Sequence, residues 1–377
     1  MLAGVVAVVV GFSSSFALVL TGLTAQGASS RQAASGLLVL CLAMAAGMLV
    51  LTLRHRLPIT LAWSTPGAAL LASGSPNSDW PAAVGAFVLV AALTALTGLW
   101  SWLARVMAAI PTSIANAMLA GVLIPICVTP FVTLARTPAY VLPILVVWLL
   151  GYAFARRWAV PLALAAALVV VVLTLDRAPR LGDLVPHLVW TTPTWDWRVA
   201  VGLAIPLYLV NLASQYAPGV AVMKTFDYTV PWRDTLLVTS VVSAGAAPFG
   251  GHAVNLAAIS AALSASEEAH PDPQKRWVAA VSAAGGNVLL GLLATAAAYV
   301  LTNAPAGLII TVAALALLGT LGNALSQALS EVEDREAAVI TVVATAAGMS
   351  LLGVGSAFWG LAIGLVVRFV LRRARRR

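Results

Sequence analysis

The feature that most restricts this chain is the length of its uncharged apolar runs. Leu142 to Ala155 and Ala159 to Leu175 each pass without one charged side chain, and similar runs recur from end to end. In 377 residues, 61% are hydrophobic and 9% charged, with a mean hydropathy of +0.98. Soluble domains carry roughly a quarter charged residues, so water is the wrong solvent for this surface and lipid is the natural one. In lipid every backbone polar group must be satisfied within the chain, which leaves helix bundles and closed barrels. Barrel strands alternate apolar and polar residues. The continuous runs here select helices, and the fold class is an all-α polytopic membrane protein.

Fourteen membrane segments are expected, near 1–24, 33–53, 58–74, 81–104, 111–132, 138–155, 158–175, 198–222, 234–247, 248–265, 277–301, 305–329, 337–352 and 354–371. The net charge of +8 then tests the topology. With a cytoplasmic N-terminus and one crossing per segment, five of the 21 basic residues lie outside: Arg31, Arg136, Arg177, Arg180 and Arg198. The other 16 lie inside, a strong positive-inside bias. The basic balance therefore encodes orientation, not nucleic-acid binding. Both termini are expected in the cytoplasm, and the apolar start lacks the preceding basic stretch of a cleaved signal peptide. Cys41 and Cys127 sit inside apolar runs and read as small hydrophobes, not a disulfide or metal pair.

A weak repeat divides the chain. Pro58–Leu70 (PITLAWSTPGAAL) resembles Pro248–Ser260 (PFGGHAVNLAAIS), and Pro111 in PTSIANAMLAG resembles Pro305 in PAGLIITVAAL. The offsets are close to half the chain. The expected organisation is a first repeat over 1–175, an extracytoplasmic connecting loop over 176–197, a second repeat over 198–371 and a basic cytoplasmic tail over 372–377. Seven segments per half is an odd number, so the second half enters from the opposite side. Two inverted repeats of seven are a secondary-transporter architecture.

The third and tenth segments are expected to be broken half-helices. Pro66 biases Thr65 away from helix and suits a first helical position, with Ser64 and Thr65 placed to cap. The chain should be extended over 58–65 and helical from Pro66. Pro248-Phe249-Gly250-Gly251-His252 reads the same way, with helix from about Gly251. Ordinary kinks would carry the same residues, but two breaks at matching places favour a site. The freed N–H groups of Gly67, Ala68, Ala253 and Val254, with two positive dipole ends, would suit an anion. All 13 Asp and Glu fall in loops or at segment ends, whereas a cation site would keep a buried acid.

Further candidates follow from spacing. Tyr208, Asn211 and Gln215 share one helical face, as ligand contacts or as interhelical hydrogen-bond glue. Phe12 and Ser13 lie at comparable depth in the first segment. His252 is the histidine placed within a span, and reads either as a satisfied donor or as a proton carrier. No three or four ligands converge for a metal, and no cofactor is implied.

At these residues the chain resembles the benzoate:proton symporter (BenE) family, in PITLAWSTPGAALLASG at 58–74 and APFGGHAVNLAAISAA at 247–262. The resemblance implies the seven-plus-seven fold shared with uracil and sulfate permeases. It implies a core domain over 1–104 plus 198–301 and a gate domain over 105–175 plus 305–371. It also implies proton-coupled uptake of benzoate or a similar aromatic carboxylate across a bacterial inner membrane. Uracil-type relatives place a Glu in segment eight, where this chain has Asn211 and Gln215, which fits an anionic substrate. The expected substrate-binding set is Phe12, Ser13, Ser64, Thr65, Gly67, Tyr208, Asn211, Gln215, Phe249, Gly250, Gly251 and His252. The expected partners are the carboxylate, the proton and the bilayer, with a homo-oligomer left open. Another anion or nucleobase permease of this fold is the alternative, followed by a passive anion channel. An enzyme is not expected, because the spans offer one His and no acid.

Overall fold

The computed structural model describes residues 2–73, 79–100, 111–174, 184–257, 259–305, 307–352 and 354–375. The end of the fourth expected segment, the first part of the connecting loop (176–183) and the last two arginines lie outside them. Each of the fourteen expected segments contains at least one described helix. The first half holds α1 (Leu2–Ala25), α2 (Ser30–His55), the strand β1 (Leu61–Trp63), α3 (Thr65–Ala72) and α4 (Trp80–Leu99). It continues with α5 (Thr112–Arg136), α6 (Pro138–Phe154) and α7 (Ala159–Thr174). The second half opens with α8 (Trp197–Thr225), then α9 (Trp232–Ala246), the strand β2 (Val254–Leu256) and α10 (Ile259–Ala265). After these come α11 (Trp277–Leu292), α12 (Ala294–Asn303), α13 (Leu308–Ala328), α14 (Arg335–Ala346) and α15 (Ser356–Arg375).

Local chemistry sets several of these ends. At the start of α2, Ser29 Oγ accepts from the Gln32 N–H while Gln32 Oε1 accepts from the Ser29 N–H, a reciprocal cap. The same helix ends at Arg56 in the left-handed region, with basic residues in its last turn at the negative end of the dipole. Ser64 caps α3, and Pro66 occupies its first turn. α8 contains two π-helical stretches, Ala200–Ala204 and Leu212–Tyr216.

Among the described residues, five helices are individually long and apolar enough to span a bilayer: α2, α4, α5, α8 and α13. The pair Pro273–Leu292 and Ala294–Asn303 adds a sixth when counted as one span bent by 48°.

α2 packs on α11 and α9 packs on α4; α1 packs on α3 and α8 on α10; α6 packs on α7 and α14 on α15. The equivalent strands β1 and β2 pair antiparallel, with Leu61 opposite Leu256, Ala62 opposite Asn255 and Trp63 opposite Val254. Two bundles result: α1–α4 with α8–α12, and α5–α7 with α13–α15. They meet where α1 touches α13 and α7, and where α3 touches α5. In the second bundle the buried carboxylate of Asp334 ties the helix ends together. It accepts from Ser113 Oγ at 3.1 Å, Arg368 Nε at 2.7 Å and Arg372 Nε at 3.0 Å. Burial alone would raise the Asp334 pKa, but the hydrogen bonds from Arg368 and Ser113 and the charges of Arg368 and Arg372 outweigh it and lower it.

Candidate functional site

The two breaks meet at the β1–β2 crossing. The Ser64 N–H donates to the Ala253 carbonyl at 3.4 Å, and the Ser64 carbonyl accepts from His252 Nε2 at 3.2 Å. A carbonyl only accepts, so Nε2 carries the proton of the neutral ring. Nδ1 then presents its lone pair, buried and without a partner. Phe87 on α4 stands edge-on to this imidazole, with ring centroids 6.3 Å apart.

The two breaks are built differently. The first runs extended through β1, and its helix starts at Thr65, one residue before the expected Pro66. The second does not start its helix at Gly251. Residues 247–249 form one 3-10 turn, Gly250 turns the chain at φ +96°, and the chain runs extended through β2, so that α10 begins at Ile259. Strand pairing with β1 decides this: Ala62 and Leu61 draw Asn255 and Leu256 into a ladder that a helix would forgo. The backbone donors expected to hold an anion are also largely engaged. Gly67 N–H donates to Ser64 Oγ at 2.9 Å, Ala68 N–H to the Ser64 carbonyl at 2.7 Å, and Val254 N–H to Ser243 Oγ at 2.9 Å.

Aromatic residues of the first half gather beside the crossing. Phe12 stacks on Phe16 at 5.3 Å and stands edge-on to Trp63 at 5.8 Å. Trp63 Nε1 donates to Ser15 Oγ at 2.9 Å. Ser13 and Thr65 are partly buried nearby in sequence. On α8, the Tyr208 hydroxyl bonds Thr97 of α4. Asn211 is 1% exposed, yet neither atom of its carboxamide has a partner. Gln215 falls inside the π-helical stretch and is partly buried. The extra residue in that turn alters the simple three-and-four register with Tyr208 and Asn211. It brings Tyr216 under Asn211, and the Tyr216 hydroxyl bonds Thr239 Oγ1 at 2.5 Å and the Val254 carbonyl at 3.4 Å.

Phe249, Gly250 and Gly251 are placed by packing. The Phe249 ring meets Trp190 of the connecting loop at 5.3 Å, and its carbonyl accepts from Ser35 Oγ at 2.9 Å. A Cβ on Gly250 would lie 3.1 Å from Gly36 Cα and 3.2 Å from the Trp80 ring; one on Gly251 would lie 2.6 Å from Ala246 Cβ. A side chain at Gly67 would meet Leu207 Cδ1 at 2.5 Å, where α3 approaches α8.

Each short helix is also held at its far end by a buried side chain that spacing arguments missed. Gln26 Nε2 donates to the Leu71 carbonyl of α3 at 2.8 Å. Arg276 donates through Nη1 to the Ala265 carbonyl of α10 at 2.7 Å and through Nε to the His270 carbonyl at 2.8 Å. Among the described residues no group of three or more His, Cys, Asp or Glu is placed to hold a metal ion.

A family model, BenE, described as benzoate membrane transport protein, matches residues 1–370. The chain belongs to the BenE family. This BenE-family chain is 39% identical to inner membrane protein YdcO of Escherichia coli K12, over 98% of this chain and 95% of that one. It is 30% identical to the benzoate membrane transport protein of Acinetobacter baylyi, over 98% and 94%. In fold it is similar to the transmembrane domain of the cyanobacterial bicarbonate transporter BicA, with a TM-score of 0.57 at 11% identity, covering 98% of this chain and 96% of that one. It is likewise similar to the murine anion transporter Slc26a9 in its inward-facing state, with a TM-score of 0.64 at 12% identity, covering 100% and 69%. This BenE-family protein is thus a multi-pass membrane transporter and not an enzyme.

Proposed function

We propose that this transporter carries benzoate or a similar aromatic carboxylate inward with protons, by alternating access across a bacterial inner membrane. The observation that carries this reading is the crossing of β1 and β2. Buried polar atoms without partners, on His252 and Asn211, occur in a bundle whose acids all lie in loops or at segment ends. A buried polar group left unpaired costs about 1–3 kcal/mol, and a carboxylate ligand supplies the missing partner for a donor. The substrate site comprises Phe12, Ser13, Ser64, Thr65, Gly67, Tyr208, Asn211, Gln215 and His252. Phe249, Gly250 and Gly251 fix the turn behind it. The aromatic ring lies against Phe12 and Tyr208.

The first bundle, 1–104 plus 198–301, is the core domain, and the second, 105–175 plus 305–371, is the gate against which it moves. Antiparallel pairing of β1 and β2 supports the inverted repeat, because strands related by a two-fold axis in the membrane plane would run antiparallel. All fourteen segments cross or enter the bilayer, α3 and α10 as half-helices, and both termini are cytoplasmic. His252 is the proton-coupling candidate: Nδ1 receives the proton, and the substrate carboxylate balances the charge.

Accumulation of radiolabelled benzoate in proteoliposomes under an inward proton gradient is the direct test. Uphill uptake that uracil does not compete supports the symporter. Uracil uptake without benzoate uptake assigns the nucleobase alternative, and flux that only equilibrates assigns a channel. His252→Gln should abolish pH-driven accumulation; full retention removes His252 from the coupling. Cysteines at Ser75 and Glu268 should label from opposite sides of the membrane, and labelling from one side excludes the inverted repeat.

A further inference from the structure

The β1–β2 ribbon has two unlike faces. Side chains alternate across a strand, so Leu61, Trp63, Val254 and Leu256 share one face. That face is packed: Leu61 lies against α2 at Gly47, and Leu256 against α8 at Gly219. The other face carries Ala62 with its cross-strand partner Asn255. Thr60 joins it, because the ladder continues through the Ala257 N–H to the Thr60 carbonyl at 3.0 Å. This face is polar and unsatisfied. Asn255 and Thr60 are each 1% exposed, and neither Asn255 Nδ2 nor Thr60 Oγ1 has a hydrogen-bond partner. Ala62 between them is the partly exposed residue of β1, flanked by buried Leu61 and Trp63. The face is thus buried and polar at Thr60 and Asn255 and partly open at Ala62.

Buried donors are nearly always paired in native proteins, and an orphan asks for an explanation. Here the orphan donor stands on the strand that follows His252, where the expected backbone donors Gly67, Ala68 and Val254 are already engaged. We propose that Asn255 is a specificity-determining residue of the transport site: its Nδ2 donates to the substrate carboxylate, and the Thr60 hydroxyl supports it from the same face. A neutral amide suits the task. It offers hydrogen bonds to an anion without an ion-pair that would slow release, and it discriminates against a substrate presenting only donors at that position. The assignment deepens the aromatic-carboxylate reading and rests on it.

The experiment compares purified wild type with Asn255→Leu, Asn255→Asp and Thr60→Val, reading the KM for benzoate uptake and the Tm without substrate. Asn255→Leu removes an unsatisfied polar group, so its Tm should match or exceed wild type while KM rises roughly tenfold to a hundredfold, the effect of one hydrogen bond to a charged group. A residue kept for substrate at the expense of stability behaves in this way. Asn255→Asp keeps the shape, removes the donor and adds repulsion, so it should lose uptake at least as fully. Thr60→Val should raise KM several-fold. Wild-type KM in Asn255→Asp or in folded Asn255→Leu overturns the proposal, as does a lowered Tm in Asn255→Leu without a change in KM. If Asn255→Leu does not fold, Asn255→Asp decides alone. Wild type that fails to take up benzoate defeats the substrate reading. The Asn255 ratio is then measured on whichever anion wild type accumulates, so the two failures separate.

Discussion

The break around Ser64 and the break around Gly250 meet in one strand pair, yet they are built differently. In the first, Ser64 caps the helix at once, and extended chain passes into α3 with no loose residue between. In the second, Gly250 takes a left-handed turn and eight residues pass before α10 begins. The far ends differ as well. Gln26, a neutral amide, holds the α3 terminus with one hydrogen bond. Arg276, a buried guanidinium, holds the α10 terminus and the turn after it with several. The comparison teaches that two breaks can share one ladder while their ends are held by unlike chemistry. The half whose helix starts late, after a glycine turn, is the one pinned by the stronger donor.

Removing the stronger pin is the hardest blow to that contrast. Arg276→Ala strands the buried Ala265 carbonyl and the His270 and Pro271 carbonyls of the partly exposed turn after it. Hydrogen bonds to charged groups contribute about 1.5–3 kcal/mol each, so the variant should lose about 3 kcal/mol or more, seen as poor folded yield and a lower Tm in detergent. Arg276→Lys should recover part of it; equal Tm for Arg276→Ala and Gln26→Ala would make the two pins equivalent. Next comes Gly250→Ala, which forces a side chain into a left-handed turn at about 1–2 kcal/mol and crowds Gly36 and Trp80. The corresponding cap variant in the first half needs no such conformation. Gln26→Ala should cost about 1–2 kcal/mol, the penalty for one unpaired buried carbonyl, and a loss larger than that of Arg276→Ala would invert the ranking. Ser64→Ala should have the smallest effect, about 1 kcal/mol for a lost N-cap. Because Ser64 also lies at the crossing, that variant should raise the benzoate KM as well.

Much of the fold was legible before any coordinates. Apolar runs marked the solvent and the helices, and Pro66 with Ser64 marked the start of α3; the inverted repeat read from the Arg distribution and the half-chain offset belongs to the proposal. The second break was legible in place but not in form. Gly250-Gly251 reads as an interruption, and only the partner strand made the following residues extended. Gln26, Arg276, Thr97 and Asn255 carried no sequence signal, because a lone polar residue in or beside an apolar run looks the same whether it caps, bonds or waits for a ligand.

What this sequence determined by itself is therefore set by local and solvent physics: which stretches leave water, where a proline forbids an N–H, which flank carries the positive charge. Those effects act within a turn or across one bilayer, and residue order records them directly. The tertiary structure decided what depends on two distant stretches meeting. The ladder between β1 and β2 joins residues nearly two hundred positions apart, orients the His252 ring on the Ser64 carbonyl and moves the start of α10 to Ile259. It also leaves Asn211 and Asn255 buried without partners for their Nδ2 groups. An unpaired donor is a property of the space around a side chain, and that space exists only once both halves have packed.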